Sequence, residues 1–359
     1  MATLHIHPER IIGNIKKLND FLKPRGIEWT LVTKILNGYK PILEKILTDP
    51  VIKQVHSIGD SRISNLRAIK EIKPDIVTVY IKPPAVNQAK NVIQYADISL
   101  NSSFETIKQL DIEARKQGKI HRVIVMIEMG ELREGVVRDQ ILNFYEKIFK
   151  MKNIDVIGIG TNLGCMYGVE PTYDKLIQLS LYRQLIETTF KVKLEIVSSG
   201  SSITLPLVSM NKIPKGVSHF RIGEAAFLGI SPYDGKKFRN LSTNAFTFSA
   251  DIVELEKKEV VPDGKIGDAA IGETADYNKI EYDESYRAIA DFGELDVDYR
   301  NLIPKDDKIN FVGTTSDMTV YDIGIRNGQY KVGDQLYFNP NYMAVARLTN
   351  SKYMTKKVL

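Results

Sequence analysis

A single lysine, Lys34, closes the apolar, β-branched run TLVTK (30–34) and stands directly before the small polar turn ILNGY. An ammonium at a strand end has two uses. It reaches solvent or an ion partner, or it sits partly desolvated beside other cations, where its pKa falls and it can form a Schiff base with an aldehyde. Other strand-like runs also break off at polar residues or glycine. Arg133 follows HRVIVMIEM (121–129), Thr161 and Asn162 close IDVIGIGTN (154–162), the stretch SSGSS spans 198–202, and Arg221 and Gly223 lie in RIGE. The hydroxyls and backbone N–H groups of SSGSS, just ahead of ITLPL, suit an anion such as phosphate, and they equally suit a plain capping loop. Lys34, facing such an anion site from the opposite side of the same scaffold, would accommodate a phosphorylated aldehyde cofactor.

The elements that must position these residues are legible as an alternation. Eight apolar runs, EWTLVTK, VHSIG, DIVTVYI, ADISL, HRVIVMIEM, IDVIGIGTN, LEIVSSG and VSHFRIG, are separated by helical stretches such as SRISNLRAIKEI and YDKLIQLSLYRQLIETTF. Near-continuous apolar strands repeated as βα units predict a (β/α)8 barrel, the TIM type of α/β fold, with its reactive groups at the C-terminal strand ends. An open doubly wound sheet is the alternative. PERIIGNIKKLNDFL (8–22) reads as an amphipathic helix ahead of the barrel, and Gly118 as a helix stop. After about residue 235 the texture changes to strands without helices, punctuated by turns at PDG (262–264) and RNGQ (326–329). The expected division is a barrel over residues 1–235 and a C-terminal all-β domain over 236–359, joined at SPYDGKK.

Composition narrows the function classes. The 359 residues carry 49 basic and 44 acidic side chains, a net charge of +5, with no basic block of the kind nucleic acid requires. One cysteine, Cys165, rules out an intramolecular disulfide, and five scattered histidines give no reason to expect a metal site. No run of 18 apolar residues and no signal peptide is evident, so the expectation is a cytoplasmic protein without membrane partners.

Taken in order, VTKILNGY, VIVMIEMGELREGV, IGIGTNL, SGSSITL and HFRIGEAAFLG resemble the cofactor motifs of alanine racemase and its relatives, the fold-type III pyridoxal-phosphate enzymes. INFVGTTSDMTVYDI resembles a segment of that family's β domain, so the similarity spans nearly the whole chain. GTNLGC and GSSITLPL resemble more closely the branch that includes ornithine racemases. The resemblance implies that Lys34 holds pyridoxal 5'-phosphate. It implies phosphate contacts from Ser201, Ser202, Ile222, Gly223 and Tyr39, the tyrosine one residue further from the lysine than in the family. Arg221 corresponds to the arginine at the pyridine nitrogen, Arg133 to one near the phenolic oxygen, and Asn162 to a histidine beside the ring. An arginine at that nitrogen weakens the electron sink, which favours rapid reprotonation, and so racemisation, over transamination.

Two departures matter. Met126 stands where alanine racemases often carry a modified lysine, and FGELDVD places Glu294 where their partner-subunit tyrosine lies. A racemase needs an acid or base on each face of its planar intermediate. Lys34 serves one face; for the other, Cys165, Glu294, Asp296 and Tyr286 compete, the ordinary alternatives being a buried small thiol and a polar turn. Carboxylates at Asp296, Asp317, Glu294 or Glu128 would favour ornithine or lysine as substrate, since an unpaired side-chain ammonium is costly to bury. The implied protein is a head-to-tail homodimeric amino-acid racemase in which each β domain completes the partner's site. Alternatives are an alanine racemase or a non-catalytic pyridoxal-phosphate carrier. The length beyond the barrel argues against the carrier. The lack of a β-domain cysteine argues against a related decarboxylase, and the lack of any histidine after His219 against metal-dependent aldolases.

Overall fold

The computed structural model describes residues 2–267, 273–274, 276, 282–325 and 329–359; part of the turn expected at 326–329 lies outside them. The chain divides into two compact units, Glu9–Thr243 and a second that gathers Met1–Pro8 with Asn244–Leu359. The first eight residues thus join the sheet unit, because strand β1 (Thr3–Ile6) pairs antiparallel with β10 (Phe246–Glu259). Helix α1 (Pro8–Leu22) follows β1.

In the Glu9–Thr243 unit eight parallel strands close into a barrel: β2 (Glu28–Val32), β3 (Ser57–Asp60), β4 (Thr78–Tyr80), β5 (Ile98–Asn101), β6 (His121–Met126), β7 (Ile154–Gly160), β8 (Ile196–Ser201) and β9 (His219–Ile222). Each corresponds to one of the eight runs, and nearly every strand residue is buried, as a sheet covered on both faces requires. Helices α2 (Lys40–Thr48), α3 (Ile63–Ile72), α4 (Ala89–Tyr95), α5 (Phe104–Lys116), α6 (Ile141–Ile148), α7 (Tyr173–Phe190), α8 (Leu205–Ser209) and α9 (Glu224–Leu228) alternate with them. Ser103 and Thr172 cap α5 and α7 by accepting from the N–H groups of Thr106 and Lys175.

The barrel buries both an apolar cluster and polar side chains. Val79, Ile98, Leu100, Ile124, Met126, Ile157 and Ile196 form one buried cluster drawn only from β4–β8. Strands β8, β9 and β2 carry the buried polar side chains Ser198, His219, Arg221 and Thr30, and Ser99, Asn101 and His121 are buried on β5 and β6. A bulge between Ser198 and Gly200 re-aims the end of β8, and Gly200 is obligatory there: a Cβ would lie 2.1 Å from the Phe220 ring.

The sheet unit orders its strands β12 (Leu302–Pro304), β15 (Gln335–Pro340), β10, β11 (Glu284–Ala290), β14 (Thr319–Asp322) and β13 (Asn310–Thr314), with β1 and β16 (Thr355–Val358) off this path. Phe248, Phe292, Phe338 and Tyr321 pack its core edge to face or tilted. It also holds a nine-residue helix, α10 (Tyr342–Asn350), whose first turn is capped by the Asn341 side chain.

Candidate functional site

Lys34 is the second residue past β2 and opens a 3-10 turn, Lys34–Leu36, which the left-handed residues Asn37 (φ 48°) and Gly38 (φ 75°) end. Barrel closure pairs Thr30 with Arg221 and Leu31 with Ile222, so β9 is the immediate neighbour of the lysine strand. The loops after β8 and β9 therefore flank Lys34, correcting the expectation that they face it from the opposite side. Gly223 is pressed against β2: a Cβ there would come within 3.0 Å of the Val32 carbonyl oxygen. Ser202 joins the two loops by accepting from the Ala225 N–H at 3.1 Å, and Ser201 caps the turn Ser202–Thr204 with a reciprocal Thr204 contact. Ile222 is fully buried, and Tyr39 is half-buried at the start of α2. Glu224, the residue after Gly223, feels the Lys34 charge; burial nevertheless raises its carboxyl above the usual range.

Arg221 is buried and held by four acceptors, none of them charged. Its Nη1 donates to Ser198 O (2.9 Å) and Oγ (2.5 Å), and its Nη2 to Thr161 O (2.8 Å) and Asn162 Oδ1 (2.6 Å). Burial lowers its pKa to about 10, so it stays a cation at neutral pH. Because a guanidinium only donates, the Asn162 oxygen must face it, which turns Nδ2 toward Glu134 Oε1. Glu134 in turn receives Nε and Nη2 of Arg133, and Arg133 Nη1 donates to Cys165 Sγ at 2.6 Å. Burial pushes the Glu134 carboxyl up, but hydrogen bonds and charge from Arg133 and the Asn162 amide outweigh it and hold it below the usual range. Cys165, Arg133, Glu134, Asn162 and Arg221 thus form one connected array.

Two carboxylates shape the loops that carry it. Glu131, only 2% exposed, accepts from the backbone N–H groups of Cys165, Tyr167 and Val169, each at 2.9 Å. Glu128 Oε1 accepts from Gly130 N (2.6 Å) and Leu132 N (3.0 Å), so that oxygen serves its own loop. Met126 lies in the apolar cluster.

Behind Arg221 a second chain runs through the barrel. Ser198 Oγ meets His219 Nδ1 (2.9 Å), His219 Nε2 meets Thr30 Oγ1 (3.0 Å), Thr30 Oγ1 meets Ser57 Oγ (2.7 Å), and Ser57 Oγ meets His56 Nδ1 (2.9 Å). Burial, with the His56 and Arg221 charges adding to it, lowers the His219 pKa well below the usual histidine range, so the ring is neutral. Clefts of about 480, 320 and 580 Å³ lie around residues 25–28, 195–196, 213–219 and 93–97, 119–122, at the N-terminal strand ends and away from Lys34.

In the sheet unit, Glu294, Asp296 and Asp317 lie on two loops in contact: Glu294 N donates to Thr315 O (3.0 Å), and a Cβ on Gly293 would clash with Ser316 O at 2.4 Å. Burial raises the Glu294 carboxyl, with Asp298 adding to it; burial also raises Asp296, helped by Asp317 and Asp291. Tyr286 sits mid-strand opposite Lys257. Sequence reasoning named neither Glu134 nor Glu131, although both sit in the ELREG stretch it singled out, Glu134 directly beside the Arg133 it pairs with.

Residues 6–232 match the family described as alanine racemase, N-terminal domain. The chain is 34% identical to an ornithine racemase of Acetoanaerobium sticklandii, covering 98% of this chain and 99% of the relative. It is 30% identical to a lysine racemase of Thermotoga maritima, covering 98% and 97%. In fold it is similar to an alanine racemase from Bartonella henselae with covalently bound pyridoxal phosphate (TM-score 0.75, 16% identity, 100% and 99% covered) and to one from Clostridium difficile 630 (TM-score 0.73, 15% identity, 100% and 95% covered). No helix among the described residues is long and apolar enough to cross a membrane.

Proposed function

Because this chain belongs to the alanine racemase family, we propose that it is a pyridoxal-5'-phosphate-dependent racemase of diamino acids, ornithine or lysine. The observation that carries this reading is the near full-length similarity to an ornithine racemase and a lysine racemase. The barrel site supports the cofactor. Arg221 is a buried cation whose hydrogen-bond acceptors are all neutral, a donor suited to an unprotonated ring nitrogen. The close approach of Gly223 to Val32 leaves that loop free of a side chain at the lysine strand. Lys34, Arg221, Arg133, Asn162, Ser201, Ser202, Ile222, Gly223 and Tyr39 would hold the group.

When bound, pyridoxal phosphate acidifies the Cα–H bond of an attached amino acid. The chain's own part is proton transfer and positioning. Lys34 Nζ would take or return the Cα proton on one face. For the other face the contact with Arg133 supports Cys165, because it joins the thiol to the array around Arg221. Glu294 is the competing acid, with Asp296 and Asp317 as partners for a substrate's terminal ammonium. The working unit proposed is a head-to-tail homodimer in which each sheet unit completes the partner's site.

Purified protein is expected to be yellow and to lose its visible band in Lys34→Ala. It should invert L-ornithine or L-lysine faster than L-alanine in a polarimetric panel. A colourless protein that takes up no pyridoxal phosphate would sink the proposal. A yellow one inert toward every amino acid would point to a carrier.

A further inference from the structure

We infer that Glu134 is the positioning residue of this site: one carboxylate that orients Arg133 and, through Asn162, Arg221. The inference rests on the proposed function for its kinetic consequence and on geometry for everything else. Glu134 takes two donors from Arg133, leaving only Nη1 to reach Cys165. It also takes Asn162 Nδ2, which holds the amide from the end opposite Arg221. With its side chain 14% exposed against 34% for Arg133, Glu134 is the more enclosed partner of the pair. A glutamine there would leave Arg133 without its counter-ion and offer one acceptor oxygen where the carboxylate offers two to Arg133 and Asn162. The Asn162 amide would then be held from the Arg221 side alone.

Cys165 is the chain's only cysteine and is exposed, so it reports directly on Arg133. In Glu134→Gln the guanidinium no longer shares its charge with a carboxylate. Iodoacetamide labelling of Cys165 at pH 7 should speed up about five-fold or more, with or without cofactor. Adding Arg133→Gln should bring the rate back to wild type or below. In the loaded enzyme, misplaced guanidinium groups should lower kcat by about 10- to 100-fold with KM changed less than about three-fold, and Glu134→Asp should recover part of both effects. Thermal melts verify folding; if Glu134→Gln does not fold, Glu134→Asp carries the same readouts with smaller changes. A folded Glu134→Gln with wild-type labelling overturns the inference, whatever its kcat, because a merely structural role would leave the thiol unmoved. Wild-type protein that racemises normally beside an indistinguishable Glu134→Gln also overturns it and leaves the proposed function standing. Faster labelling in a protein that binds no pyridoxal phosphate supports the Glu134 network and removes the proposed function.

Discussion

Arg221 shows what a single side chain must satisfy here. Its two terminal nitrogens meet four oxygens from three residues, Ser198 on β8 and Thr161 and Asn162 past the end of β7, a planar fork that an ammonium cannot reproduce. Arg221→Lys keeps the charge and loses the fork; it should lower racemisation by about 10-fold or more, since each 1.4 kcal/mol of lost stabilisation is tenfold in rate. An unchanged rate by polarimetry would show that charge alone suffices. Lys34 and Arg221 were legible in the sequence because each interrupts or ends an apolar run, where a charged group needs a reason. Glu134 and Glu131 were not. Their partners arrive only after the chain has turned through Gly130 (φ 121°), Leu132 (φ 49°) and Gly135 (φ 149°), and no local pattern encodes which backbone N–H groups a carboxylate will then meet.

At the scale of elements, eight buried parallel strands were readable from continuous apolar runs, and their order followed from the helices between them. What the runs did not convey was adjacency across the seam. β9 and β2 stand about 190 residues apart in sequence, and only barrel closure makes them neighbours. The loop after β7 owes its shape to Glu131: burial pushes its carboxyl up, but the backbone donors of Cys165, Tyr167, Val169 and Met166 outweigh it and hold it below the usual range. Glu131→Ala leaves those donors without their acceptor. Amide exchange at Cys165, Tyr167 and Val169 should accelerate by about 10-fold or more, while β7 itself remains protected. Equal protection at the three amides would show that the loop holds itself.

For the molecule as a whole, buried ionisable groups in the barrel unit set opposing pH dependences. Asp60 is fully buried, and burial pushes its pKa up to about 6 from 3.8 even though Arg62, Asn65 and Thr33 donate to it. The fold therefore holds a proton that the unfolded chain releases. That support is complete below about pH 4 and is lost as pH rises through 6, a swing of about 3 kcal/mol. His121 runs the other way: burial lowers it to about 4 from 6.5, so stability falls as pH drops below 6.5. His219 adds to that fall. Asp60→Asn keeps an acceptor for Arg62 and Asn65 and removes the charge. It should raise the urea midpoint at pH 7.5, and the gain should vanish toward pH 4, making the acid loss steeper than in wild type. A gain equal at pH 7.5 and pH 4 would refute this.

The hydroxyl and imidazole chain behind Arg221 has a consequence for how this barrel can change. Arg221 donates into Ser198, so the one Ser198 proton is directed to His219, whose other nitrogen then donates to Thr30, and so on to His56. Every member has its donor and acceptor sides assigned by its neighbours. An apolar replacement of Ser198, His219, Thr30 or Ser57 strands the groups on either side of it, whereas the apolar cluster of β4–β8 accepts volume-conserving swaps one at a time. In a saturation library the two sets should therefore evolve by different rules: the apolar cluster by single steps, the hydroxyl and imidazole chain only by linked replacements of several residues at once.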